Sequence, residues 1–327
     1  MDKKERLMAV LNHQKPDRIP ASFWFHFDGE KGRGEACVQA HLDYYRAANP
    51  DFIKIMSDGL GYPLSVTIGR AEDWYKVAPL PDDDPFFTET VARCAAINQS
   101  VGEECYTFYN FFSPYNIIRE REVFTSAYQN SNRNETVKTH MQENPDAVRH
   151  AMCVIAGDLA RLAERVVHEG GCLGIYQSLQ GAEIGHLYES MHADVVRPAD
   201  LQLIRAINEI SPYNILHLCS WAGFPNHLAY WKVYPGRVVN WGTGVENLSL
   251  AEGRSLFGPD RVILGGLDNR RGKPLYSGTR EELKAAVRAA VEQMAGEPFI
   301  LGADCTVPND IDLERIGWVL EALEEES

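Results

Sequence analysis

Eight short runs rich in β-branched and aromatic residues alternate with helix-like segments along this chain, and that alternation limits its fold more than any other feature. The runs are Arg18–Phe25, Asp51–Ser57, Glu104–Phe111, Gly171–Leu179, Tyr213–Ser220, Arg237–Gly242, Arg261–Leu267 and Pro298–Ala303. Strands buried on both faces read as near-continuous apolar runs, the pattern of a parallel sheet covered by helices. Helical spacing marks Glu35–Ala48, Pro145–Val167, Leu248–Phe257 and Thr279–Ala295, with Ile311–Leu323 after the last strand. Thr279 and Glu282 stand at capping-box spacing, which satisfies amides at a helix start. A further helix near Lys3–Leu11 precedes the first strand and is placed to close the bottom of a barrel. Eight such units predict an α/β protein, a (β/α)8 TIM barrel. The rival is an open doubly wound sheet, weakened because no Gly-x-Gly-x-x-Gly follows an early strand. Residues 1–327 read as a single barrel domain. A long, turn-rich, aromatic excursion over 60–134 is expected as loops around strands two and three, a candidate lid.

Charge narrows the function classes. The formal net charge is −14, so neither nucleic acid nor an anionic membrane is an expected partner, since both reward basic surfaces. The opening residues lack a continuous apolar core of the signal-peptide kind, and no stretch is long and apolar enough to span a bilayer. The seven cysteines are scattered rather than arranged as a dense disulfide framework, which points to a reducing cytoplasm.

In a barrel the chemistry gathers at the C-terminal ends of the strands. That rule selects His26 and Asp28, Ser57 and Asp58, Gln177 and Gln180, His217 and Cys219, Asn240 and Trp241, Asp268, Asp304 and Cys305. His217 and Cys219 are the most informative pair. Residues i and i+2 of a strand share a face, so both side chains point together into the barrel. Cys305, after strand eight, opens onto the same mouth. Imidazole and thiolate are the usual protein ligands of zinc, and three of them leave a position for water or substrate. The competing reading is that these are inert core cysteines, as most lone buried cysteines are. Cys37, Cys94, Cys105, Cys153 and Cys172 read as structural. Asp58 and Asp268 are candidates for substrate hydrogen bonding or acid–base work, or else for helix caps. His26 stands with them. Tyr106–Phe112 is either pocket lining or core. Arg270–Lys273 is either an anion clamp or a solvated loop.

Several segments resemble the uroporphyrinogen decarboxylase superfamily. The opening Ala9-Val-Leu-Asn-His-Gln-Lys-Pro-Asp-Arg-Ile-Pro20 resembles its N-terminal signature, and Phe52–Asp58 its second strand, which ends in Ser-Asp. Val239-Asn-Trp241 resembles its Val-Asp-Trp element, Leu264-Gly-Gly-Leu-Asp268 its Gly-Asn-Leu-Asp element, and Pro298–Pro308 its last strand. The resemblance covers nearly the whole chain and implies a (β/α)8 barrel. True decarboxylases of this superfamily carry Arg-Gln-Ala-Gly-Arg-Tyr after strand one. This chain has Ser22-Phe-Trp-Phe-His-Phe-Asp28 there, with no arginine before Arg33. Without those guanidinium groups a poly-carboxylate is poorly held. Asn240 replaces the usual Asp, and Cys305 stands roughly where the last-strand His of decarboxylases would be.

These departures resemble the methyltransferase branch, similar to methylcobamide:coenzyme M methyltransferases, which binds zinc through His-x-Cys and a distant Cys before a Pro-containing loop. His217, Cys219 and Cys305, followed by Pro308, match that pattern; the Ala-Asp before Cys305 departs from the Gly more usual there. The resemblance implies a zinc-dependent methyltransferase. It would move a methyl group between a corrinoid, methylcobalamin or a corrinoid protein docking over the barrel mouth, and a small-molecule thiol or similar acceptor. Asp58, Gln177 and Asp268 are then expected as catalytic or orienting residues, and His26, Asn240 and Trp241 as substrate-binding residues. Two rivals stay open: a decarboxylase with Asp58 as key carboxylate, and a non-catalytic corrinoid- or metal-binding module.

Overall fold

A computed structural model describes residues 1–120, 133–220 and 223–326. In chain order the elements are α1 (Lys3–Leu11), β1 (Ala21–Ser22), α2 (Gly34–Ala48), β2 (Phe52–Ile55), α3 (Pro85–Val101), β3 (Tyr106–Phe112), α4 (Pro114–Glu120), α5 (Arg133–Glu143), α6 (Pro145–His168) and β4 (Gly174–Leu179). Then come α7 (Glu189–Met191), α8 (Arg197–Ile210), β5 (Ile215–Leu218), β6 (Val238–Trp241), α9 (Thr243–Glu246), α10 (Leu250–Phe257), β7 (Val262–Leu267), α11 (Pro274–Ser277), α12 (Arg280–Gln293), β8 (Phe299–Ala303) and α13 (Glu314–Glu325).

All strand pairings are parallel, in the order β1-β8-β7-β6-β5-β4-β3-β2. Bonds across the remaining seam between β1 and β2 include Asp51 N donating to Ala21 O at 2.8 Å and Ser22 Oγ donating to Phe52 O at 2.7 Å. The result is a nearly closed (β/α)8 TIM barrel. Each expected strand run contains its observed strand or overlaps it. The first is the outlier, with two ladder residues where eight were expected. Pro20 at its start has no N–H to give, and the chain leaves the ladder after Ser22, returning to the last-strand segment through Val307 N and Trp24 O at 2.9 Å.

Alternation along the strands separates an inner core from two outer ones. Inside lie Trp24, Phe52, Met56, Phe108, Tyr176, Ile215, Val238, Val262, Leu264 and Ile300. Leu7, Val10 and Leu11 of α1 join this cluster and plug the bottom. A clamp fixes that plug: buried Asp51 accepts from Arg6 Nη1 at 2.7 Å, Arg18 Nη1 at 2.8 Å and Ala21 N at 2.7 Å. Outside, apolar faces of α3, α6 and α8 cover one part of the barrel wall, and those of α10, α12 and α13 cover another. The α12 capping box forms as expected from Thr279 and Glu282.

The 60–134 segment is more regular than its turn-rich composition suggested. Asp84 caps α3 through Phe86 N, Pro85 starts the helix, and Phe86, Phe87, Val91, Cys94 and Ile97 face the core. This helix serves as the crossover from β2 to β3. The part of the expected excursion over 121–132 lies outside the described residues. No helix among the described residues is long and apolar enough to cross a membrane.

Candidate metal centre at the barrel mouth

β5 turns His217 inward, and Cys219 follows on the same face just past the strand end. Cys305 sits in the bend after β8. Their ligand atoms lie within 4.8 Å of one another, with His217 Nε2 3.3 Å from Cys305 Sγ. Tetrahedral zinc, with bonds of about 2.0–2.3 Å, keeps its ligand atoms roughly 3.5–3.8 Å apart. One imidazole nitrogen and two thiols are also the donor set that zinc favours, so the residues fit the ion.

The tautomer of His217 is set from behind. Asn240 Nδ2 donates to Leu264 O at 2.9 Å and Ala303 O at 3.3 Å, which turns the amide oxygen the other way. That Oδ1 accepts from Tyr176 Oη at 2.9 Å and from His217 Nδ1 at 2.5 Å. With the proton held on Nδ1, Nε2 keeps its lone pair for a metal. The two cysteines act as one acid. The hydrogen bond from Cys219 and the nearby His217 hold the Cys305 thiol below its ordinary range despite burial. The same contact, reinforced by burial, pushes Cys219 up.

Loops brace the cysteines. Glu246 accepts from Ser220 Oγ at 2.5 Å and from Asn226 N and Nδ2, each at 2.7 Å, and Asn226 Nδ2 also reaches Cys219 O at 3.2 Å. Beside Cys305, Asp304 accepts from Thr243 Oγ1 at 2.8 Å and Gly244 N at 3.0 Å, while burial pushes its carboxyl up to about 6.

The three ligands line a cavity of about 650 Å³ together with His26, Arg33, Lys54, Asp58, Tyr109, Asn110, Phe111, Phe112, Ser178 and Gln180. Asp58 Oδ1 pairs with His26 Nδ1 at 2.7 Å, and Asp58 Oδ2 accepts from Phe27 N at 2.8 Å. Burial raises this carboxyl, but those hydrogen bonds and the His26 charge outweigh it and hold it below its ordinary value. The loop then reverses at Gly59, at φ +71, where a Cβ would fall 2.5 Å from Gly32 O. On the far wall, Gln180 Oε1 accepts from Asn116 Nδ2 at 2.7 Å and from Arg119, whose guanidinium also pairs with buried Glu183 at 2.9 Å.

Four expected site residues stand elsewhere. Gln177 alternates with inward Tyr176 and Ser178, so it faces the helix layer; its amide nitrogen and oxygen are buried without a hydrogen bond among the described residues. Trp241, next to inward Asn240, also points outward, against Phe257, with Nε1 donating to Leu248 O at 3.0 Å. Gly253 of α10 makes room for it, since a Cβ there would lie 2.0 Å from the indole. Asn240 faces inward but lies beneath His217 rather than on the cavity wall. Asp268 is spanned by Arg270, with Nε and Nη2 at 2.9 and 2.6 Å, and lies outside the cavity lining. Of the basic run, Arg270 is taken by Asp268 and Arg271 by Asp310 at 2.8 Å.

Among the wall residues that strand-end position does not single out is a buried lysine. Lys54, on β2 between Ile53 and Ile55, projects inward and is 4% exposed. Its Nζ lies 3.7 Å from the Tyr176 ring centre and 5.0 Å from that of Trp24. Burial pushes its ammonium down to about 7, against the pull of Cys305, Cys219 and Asp58. A lone charge inside an apolar strand run was the available signal.

The uroporphyrinogen decarboxylase (URO-D) family model matches residues 121–326, and the chain belongs to that family. A methyltransferase from Methanosarcina mazei is similar in fold, with a TM-score of 0.75 at 13% identity over 100% of this chain and 99% of that one. A B12-independent methionine synthase from Shewanella sp. W3-18-1, solved with selenomethionine, reaches 0.54 at 13% identity over 95% and 94%. A 76-residue stretch is 32% identical to the uncharacterized cysteine-rich protein YhjQ of Bacillus subtilis, 22% of this chain and 70% of that protein.

Proposed function

We propose that this chain is a methyltransferase whose His217, Cys219 and Cys305 hold zinc, and that it moves a methyl group between a corrinoid and a thiol. The observation that carries the reading is the convergence of one imidazole nitrogen and two thiols on a cavity at the barrel mouth. The methyltransferase of similar fold supports it. Zinc bound there would supply Lewis acidity, lowering the pKa of an acceptor thiol so that it reacts as thiolate near neutral pH.

In this account the acceptor's sulfur takes the methyl group, the carbon–cobalt electron pair stays with the corrinoid, and the thiol proton goes to solvent. Asp58 is a fixed hydrogen-bond acceptor for substrate, since its carboxyl is held ionised. Asn240 is a positioning residue acting through His217. Gln177, Trp241 and Asp268 are assigned no part. The test is to incubate zinc-loaded protein with methylcobalamin and a panel of thiols, following loss of the methylcobalamin spectrum. Thiol-dependent demethylation that disappears in Cys219→Ala supports the proposal. Intact zinc with no demethylation by any thiol contradicts a thiol acceptor.

A decarboxylase reading has one favouring observation, Asp58 and Arg33 on the same cavity wall in a member of this family. It predicts turnover of uroporphyrinogen that is indifferent to Cys219→Ala.

A further inference from the structure

We propose that Lys54 is the counter-charge of the centre, selecting a ligand that enters the His217–Cys219–Cys305 site as an anion. This rests on the metal reading above and adds a residue and a ligand class to it.

The argument begins with where the amine sits. Lys54 comes from the middle of β2, on the inward face shared with Phe52 and Met56, and lines the same cavity as the three ligands. Its ammonium faces the rings of Tyr176 and Trp24; no carboxylate hydrogen-bonds or ion-pairs with it among the described residues. Ring faces orient an ammonium but do not neutralise it. A buried charge ordinarily has a partner of opposite sign. Among the described residues lining the cavity, Asp58 is the one carboxylate, and it is already engaged by His26 and Phe27 N.

Tyr176 joins the two halves of the site. Its ring carries the Lys54 ammonium, lies 5.5 Å from the His217 ring, and its hydroxyl shares Asn240 Oδ1 with His217. The residue behind His217 is a neutral amide, so no carboxylate there answers the lysine. A divalent ion with two thiolates and a neutral imidazole carries no net charge either. What positive charge Lys54 carries, with burial holding its ammonium down to about 7, has no hydrogen-bonded anionic partner among the described residues and is left for the incoming ligand. A thiol entering as thiolate supplies its match, whereas a neutral thioether does not, so Lys54 favours binding of the acceptor over its methylated product.

Cobalt(II) in place of zinc makes this visible, because a thiolate beside cobalt gives a charge-transfer absorption. Wild type, Lys54→Met and Lys54→Arg are loaded with cobalt(II), checked by circular dichroism, and titrated with 2-mercaptoethanol and with its methyl thioether. Lys54→Met is expected to keep the metal and lose thiol affinity by about tenfold or more, with Lys54→Arg in between. Its preference for thiol over thioether narrows by the same factor. A second measurement needs no variant: azide is expected to displace imidazole from the loaded wild-type protein. Equal thiol affinity in wild type and Lys54→Met, or no preference for azide, overturns the role of Lys54 and leaves the metal reading standing. A wild-type protein that takes up no cobalt(II) removes both.

Discussion

The amide oxygen of Asn240 lies 2.5 Å from Nδ1 of His217, with the amide's other end fixed on two backbone carbonyls, so a neutral side chain dictates which imidazole nitrogen faces the cavity. Such supporting residues tune metal affinity by about 10–100-fold. Asn240→Ala is expected to weaken zinc binding by that order while leaving the barrel folded. Chelator competition measures the first and circular dichroism the second. Unchanged affinity would mean that packing alone orients His217.

Metal uptake should depend on pH in a defined direction. Cys219 is held protonated above its ordinary range while Cys305 is held low, so the metal-free pair keeps one proton that an entering ion displaces. Affinity is then expected to rise about tenfold per pH unit across the neutral range, with proton release on binding. Competition measurements at three pH values, or calorimetry in buffers of different ionisation enthalpy, provide the check. A pH-independent affinity would contradict the shared proton.

Gln177→Leu separates the helix layer from the cavity. The wild-type amide is fully buried, with neither end hydrogen-bonded among the described residues. Removing two unpaired polar ends should stabilise the protein by about 1–2 kcal/mol. Urea unfolding measures that gain, and zinc content and methyl transfer should be unaffected. A loss of activity would return Gln177 to the site.

Away from the mouth, Asp200 is buried in α8; among the described residues its carboxyl accepts one hydrogen bond, from Tyr234 Oη at 3.0 Å, and burial pushes it up to about 8. An acid whose pKa is higher folded than unfolded binds more protons in the native state, so stability falls as pH rises between the two values. The window runs from the ordinary carboxylate value of 3.8 to about 8. Asp200→Asn should flatten this slope and be more stable than wild type by about 1–2 kcal/mol at pH 8. Unfolding curves at pH 5 and pH 8 test it; a parallel pH dependence in both proteins would refute it.

The barrel was legible because eight short apolar runs, as buried parallel strands leave, alternate with helix-length segments, and because caps such as Thr279–Glu282 announce helix starts. His217 and Cys219 were legible because the two-residue period of a strand fixes their shared face. The same period, applied at Gln177 and Trp241, would have sent both outward. Both lie near strand ends, and nearness to the end does not decide the face. The role of Asn240 depends on Leu264 O and Ala303 O, backbone atoms of other strands that no local pattern reveals. Lys54 is masked in the sequence by Phe52, Ile53 and Ile55, which mark a core strand, while the cavity it shares with the two cysteines exists only once the barrel closes. The regular helix α3 was obscured by the aromatic and turn-rich residues that surround it.

The measurement that tests the central claim most directly is the metal content of the purified protein by mass spectrometry, alongside Cys219→Ala, Cys305→Ala and, as a buried-cysteine control, Cys172→Ala. The account predicts about one zinc per chain in wild type and in the control, and its loss in the other two. No zinc in the wild-type protein after reconstitution under reducing conditions would contradict it and return these cysteines to the core.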